Sequence, residues 1–257
     1  MSNLMMAHNQ WATRPSDERF WDLQEMLEDA RKQRSECRSH ELEKGDEIAR
    51  VSYGCGGELA METSKGRSYG LNNWTFGQIC ARAGAPAGYM HNLIGRPDLI
   101  SQCLSYGLAQ ADENERSKGV ALLEQDGMLR SINSQIYGRI WDEEIIKRLI
   151  PLADNHGWKV PPARPCNVDE SRTRRATAED ITRSTFVKEG DLIGPAGLYR
   201  GDRNMFAFMV NDETRVDDGS DGGISRAFMV GNSEVGAGSF FYVEVGFKNT
   251  CGNHIIW

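Results

Sequence analysis

Residues 198–210, LYRGDRNMFAFMV, decide the fold. A Gly-Asp turn is followed by an apolar run, and three more stretches repeat the pattern. They are 223–233 GISRAFMVGNS, 238–249 GSFFYVEVGFKN and 253–257 NHIIW. Runs of this length rich in Phe, Tyr, Val and Ile, bounded by Gly, Asp and Asn, read as strands joined by turns. The last third of the chain is therefore expected to form an antiparallel sheet.

Helices dominate the reading upstream. In DERFWDLQEMLEDARKQRSE, residues 17–36, Phe20, Trp21, Leu23, Met26 and Leu27 make one apolar stripe. Ser16 stands in front as a capping residue, with Asp17 and Glu18 in the first turn, where the helix dipole favours acids. Residues 74–95 predict two short helices, 98–110 a third, and 141–157 a helix ended by Gly157. Two short strands, 47–53 and 57–62, flank the run Gly54-Cys55-Gly56-Gly57 as a hairpin. A second hairpin turns at Asp126-Gly127 in GVALLEQDGMLRSIN. Residues 158–183 are rich in proline and charge and read as a loop. The fold class is α+β, with an antiparallel sheet in the C-terminal half and helices mostly from the N-terminal half. The organisation expected is an N-terminal helical extension over 1–40 and a single domain over 41–257, with a charged loop at 161–185.

Bulk properties narrow the function. The chain has 257 residues, 30 Lys+Arg against 37 Asp+Glu, and a net charge of −7. Proteins that coat nucleic acid without specificity are usually basic, because phosphate neutralisation supplies most of that affinity. A basic groove on an acidic body remains compatible with this charge. No apolar run reaches eighteen residues and the N-terminus has no secretory pattern, so a cytoplasmic protein away from membranes is expected. Six cysteines without a CxxC pair read as reduced thiols.

Several motifs fail on inspection. Cys251 and His254 in CGNHIIW supply two ligands at most, and zinc needs three or four. In RVDDGSDGGISR the twelfth position from Asp217 is Phe228, so the EF-hand pattern breaks, although Asp217, Asp218 and Asp221 could hold a divalent ion. Glu244 and Lys248 are four apart, where nuclease strands space such a pair by two. No Walker loop, GxGxxG, GxSxG or HExxH occurs, and no cofactor is expected. The segment FGQICARAGAPAGYMHNL has helix-turn-helix spacing, with Cys80 as the small residue and Gly84 at the turn. Its second helix offers only His91 and nearby Arg96 to a groove.

Arginines and aromatics form the strongest constellation. Arg172, Arg174 and Arg175 make the densest basic cluster. Arg200, Arg203 and Arg226 interleave with Tyr199, Phe206 and other rings along the predicted strands. Rings beside arginines on a sheet suit single strands, whose bases stack on aromatics. The competing reading buries the rings and leaves the arginines to solvent.

The run YRGDRNMFAFMV…GISRAFMVGNSEVGAGSFF…CGNHIIW, with LLEQDGMLRSINSQIYGRIWDEEII upstream, resembles a phage- and plasmid-encoded family. That family is known as a domain of unknown function, number nine-three-two. The resemblance covers about residues 70–257. Members continue past this strand into a helical tail, so the chain reads as lacking its C-terminal continuation. The habitat implies DNA metabolism, and the fold class invites analogy with phage single-strand annealing proteins. The expected function is single-stranded DNA binding, as a homo-oligomer and without nucleotide hydrolysis. Arg172, Arg174, Arg175, Arg200, Arg203 and Arg226 would hold phosphates, and Tyr199 and Phe206 would stack bases. One alternative is a metal-dependent nuclease using Asp202, Glu234, Glu244 and His254. Another is a non-enzymatic module that blocks a host factor.

Overall fold

The computed structural model describes residues 14–42, 46–111, 119–166, 172–184, 186–217, 219, 223–248 and 255–256. The fold is α+β. Its chain contacts separate two compact units, one of residues 33–139 with 235–237 and one of residues 1–32, 140–234 and 238–257.

Helix α1, Leu23–Glu36, begins later than its charge pattern suggested. Ser16–Glu18 form only a 3-10 turn. Asp22 is the residue that caps α1, its Oδ1 accepting the Glu25 N–H at 2.8 Å. Of the apolar stripe, Leu23, Met26 and Leu27 are buried together with Ala30, and Phe20 is buried just before the helix; Trp21 also precedes the helix and is only half-buried.

In the first unit, six strands form one sheet in the order β1-β5-β6-β4-β3-β2. They are β1 Cys37–Glu41, β2 Ile48–Tyr53, β3 Leu59–Thr63, β4 Ser68–Leu71, β5 Val120–Gln125 and β6 Met128–Ser134. The sheet combines the two expected hairpins. Asp126 and Gly127 both take positive φ (51° and 77°), as a type I′ turn demands. β4 and β6 pair in parallel, a junction that no local pattern announces. Helices α2 Asn73–Arg82, α3 Ala87–Asn92 and α4 Pro97–Gln110 cover this sheet. Gly84 has φ +66° between α2 and α3, while Cys80, Ile79 and Met90 are buried. The helical corner expected there is present, with its apolar positions packed in the core. The outer side of α3 shows Tyr89 and His91, and Arg96 is held by Asp98 at 2.7 Å.

The second unit is built on the long strands read at the outset. Helix α5, Asp142–His156, ends at Gly157 with φ +67°, as expected. Then come β7 Trp158–Lys159, β8 Arg164–Pro165, β9 Arg174–Arg175, helix α6 Ala178–Arg183 and β10 Leu192–Gly194. The stretch expected to be a bare loop thus carries short elements, and β8, β10 and β9 form a small sheet. The principal sheet runs β11-β12-β13-β14-β15: Leu198–Arg200, Met205–Val216, Ile224–Asn232, Phe241–Lys248 and Ile255–Ile256, with β7 also pairing β12.

Alternation gives this sheet two faces. On one, Leu198, Met205, Ala207, Met209, Phe228 and Val230 pack with the stripes of α1 and α5. On the other, Tyr199, Phe206, Phe208, Val210, Ala227, Met229 and Phe247 form a second cluster. No helix among the described residues is long and apolar enough to cross a membrane.

Candidate nucleic-acid interface

Two expected stacking residues are core residues. Tyr199 is 1% exposed and Phe206 5% exposed. They pair across β11 and β12 with ring centroids 6.1 Å apart. Burial pushes the Tyr199 phenol far above its ordinary range. Neither ring can receive a base, and the expectation is corrected: both sides of this sheet segment are covered.

Arg200 is corrected in the same way. It lies on the helix-covered face and is 4% exposed. Its Nε meets Asp142 Oδ2 at 3.2 Å, one terminal nitrogen donates to Asp29 Oδ2 at 2.8 Å, and the other lies 3.6 Å from Glu234 Oε2. Glu234 Oε1 also accepts the Asp142 N–H at 2.9 Å, satisfying the first turn of α5. Asn232 donates to Asp142 Oδ1 at 2.7 Å and to the Ile140 carbonyl at 2.8 Å. This is a buried charged network that ties β11, β13, α1 and α5 together.

The basic cluster is largely neutralised. Arg172 pairs with Glu25 and lies over the Phe20 ring, 4.5 Å from its centroid. Arg174 makes a two-pronged contact with Asp180, at 2.6 and 3.0 Å, and lies 4.3 Å from the Trp21 ring centroid. The Arg174 hydrogen bond holds the Asp180 carboxyl well below the usual carboxylate range. Arg175 donates to the Gly190 carbonyl. Arg203 and Arg226 are exposed.

The nuclease residues do not converge. Glu234 serves the Arg200 network, Asp202 is exposed, and Glu244 lies on β14 opposite Phe228. His254 and Cys251 lie outside the described residues, as do Asp218 and Asp221. Among the described residues no group of three or more His, Cys, Asp and Glu is placed to hold a metal ion.

An open strip remains at the β14 side of the helix-covered face. Arg226, Phe228 and Val230 point to this face by alternation. Glu244 and Tyr242 are the register partners of Phe228 and Val230. Three rings form a ladder across the strands. Trp158 meets Phe228 edge-on at 4.7 Å, and Phe228 meets Tyr242 at 5.4 Å. Helices α1 and α5 do not reach the end of it: Tyr242 is 51% exposed and Phe240, two residues before it, is 49% exposed. Phe241, 41% exposed, lies over Gly231 on the opposite face. The Tyr242 hydroxyl donates to Glu244 at 3.2 Å. Partial burial and then that hydrogen bond raise its pKa. Large exposed rings grouped at the end of a ring ladder favour an interaction surface over ordinary scattered apolar residues. Sequence reasoning counted these rings but chose Tyr199 and Phe206. The available signal was position, since β14 lies towards the sheet's border, away from β11. No family model, no curated protein and no solved structure matches the chain.

Proposed function

We propose that this protein binds single-stranded DNA, or another flexible single strand, along the open strip of β13 and β14. Tyr242 stacks a base, Phe240 extends the platform, and Arg226 holds a phosphate. The observation that carries the reading is the ring ladder ending in exposed Tyr242, with exposed Arg226 on the same face. Stacking needs only a ring face, so this platform tolerates any base sequence. The reading extends to mobile-element DNA metabolism, as a homo-oligomer and without nucleotide hydrolysis, which is what the resemblance read in the sequence would imply. Glu244 opposes the charge of a bound strand and limits affinity at this site.

Fluorescence anisotropy with labelled oligo-dT and a matched duplex, over a salt series, tests the reading, with light scattering for subunit number. Tyr242→Ala is expected to lose roughly 1–3 kcal/mol of single-strand binding, about 5- to 150-fold in Kd. Arg226→Ala should flatten the log–log salt slope by about one unit. Absence of single-strand binding at low salt, or binding indifferent to both substitutions, would overturn it. In that case the same exposed rings become a protein-docking surface, and capture of a host factor is the next experiment.

A further inference from the structure

The unit of residues 33–139 has a cavity of about 380 Å³ that the open strip does not use. That volume lies within the range that small-ligand pockets occupy. Its floor is apolar: Phe76, Met90 and Ile100 are 6%, 6% and 1% exposed. One wall is a ring pair, Phe76 with His91, whose centroids lie 4.8 Å apart. The polar rim consists of Glu58, Asn72, Asn73 and His91. Asn72 Oδ1 is committed to capping α2 through the Thr75 N–H at 2.8 Å, which leaves its amide nitrogen as the side chain's remaining hydrogen-bonding group, a donor.

The Glu58 carboxyl lies against its own turn. Gly54-Cys55-Gly56-Gly57 turns beneath Glu58, and the Gly54 N–H donates to the Glu58 carbonyl at 2.9 Å. A Cβ at Gly54 would stand 2.8 Å from Glu58 Oε2, and one at Gly56 would collide with Oε1. The glycines leave the space that the carboxyl group occupies at the rim.

These features restrict the ligand. No lysine or arginine lines the cavity, which disfavours phosphates and carboxylates. The apolar lining beside the Phe76 ring, to which the His91 ring is inclined at 59°, favours a ligand with a planar ring. A carboxylate only accepts hydrogen bonds and offers two oxygens, so it suits an edge with adjacent N–H donors. We infer that this cavity binds an amino-substituted nucleobase, guanine above all, with its N1–H and 2-amino edge on Glu58 and its ring against Phe76. The base comes either from a free nucleoside or from an unstacked nucleotide of a single strand.

Titration calorimetry on the full chain tests this with guanosine, inosine, adenosine and a guanine-containing oligonucleotide, with circular dichroism to check folding. Guanosine is expected to saturate the site. Inosine, which lacks the 2-amino group, and the Glu58→Gln variant should each bind at least fivefold more weakly. Glu58 is exposed, so its variant should remain folded. Competition between guanosine and the oligonucleotide assigns the base to a strand; guanosine binding without competition assigns it to a free nucleoside. The inference falls if no nucleoside saturates at millimolar concentration. It also falls if Glu58→Gln binds guanosine unchanged, or if an apolar amine such as tyramine binds while guanosine does not. It is independent of the β14 strip, because Glu58→Gln should leave oligo-dT binding intact.

Discussion

Arg200 and Arg226 sit on the same face of the same sheet, each in a strand that carries an aromatic ring, and their fates are opposite. Arg200 is 4% exposed among Asp29, Asp142 and Glu234, whereas Arg226 is open to solvent. The difference is the cover. The N-terminal end of α5 brings Asp142 onto Arg200, while neither α1 nor α5 extends over the β14 border. Arginine beside aromatic rings therefore specifies no role by itself. The neighbouring helix decides between an internal tie and a contact surface.

The largest expected effect breaks the buried side. Arg200→Ala leaves Asp142 and Glu234 buried without their cation, and should cost about 3–5 kcal/mol of stability. Chemical denaturation reads this; a loss below about 1 kcal/mol would mean that the network is solvated.

Asp46 gives an intermediate case, within the unit of residues 33–139. Its side chain is 0% exposed, paired with Arg67 at 2.6 Å and accepting from Ser64 and Lys65. Burial pushes its carboxyl up, but Arg67 and the other donors outweigh this and bring it down to about 2 from 3.8. The folded pKa lies below the unfolded one, so the stabilisation is complete above pH 4 and disappears as pH falls towards 2. It amounts to about 2 kcal/mol. An Asp46→Asn variant should flatten that part of the stability–pH curve.

Arg174→Ala tests the exposed end of the same series. Its side chain is 41% exposed, and surface pairs contribute about 1 kcal/mol or less, so thermal unfolding should shift only slightly. Arg226→Ala should leave stability within about 0.5 kcal/mol of the parent, as surface changes do. Its effect belongs to the anisotropy titration. Glu244→Gln sharpens the comparison from the other side: removing that charge should tighten oligo-dT binding.

Local chemistry was legible wherever a turn needs particular residues. Asp126-Gly127, Gly157 and the Gly84 corner were read correctly, because positive φ restricts the choice of residue. The apolar stripe of α1 was legible too, but its start was not. Asp22 and Ser16 are both competent caps, and only the chain path selects between them. Tyr199 and Phe206 were misread because alternation tells which residues share a face and says nothing about what lies on that face.

What the amino-acid sequence determined by itself was the α+β class, the strands of the C-terminal sheet and the alternation along them, since period and turn chemistry are local. The tertiary structure decided the rest. Arg200 meets Asp142 across 58 positions and Asp29 across 171, and β4 meets β6 in parallel through intervening helices. Such contacts depend on which elements stack. That is settled by burying apolar stripes together, and the choice of exposed and enclosed arginines follows from it.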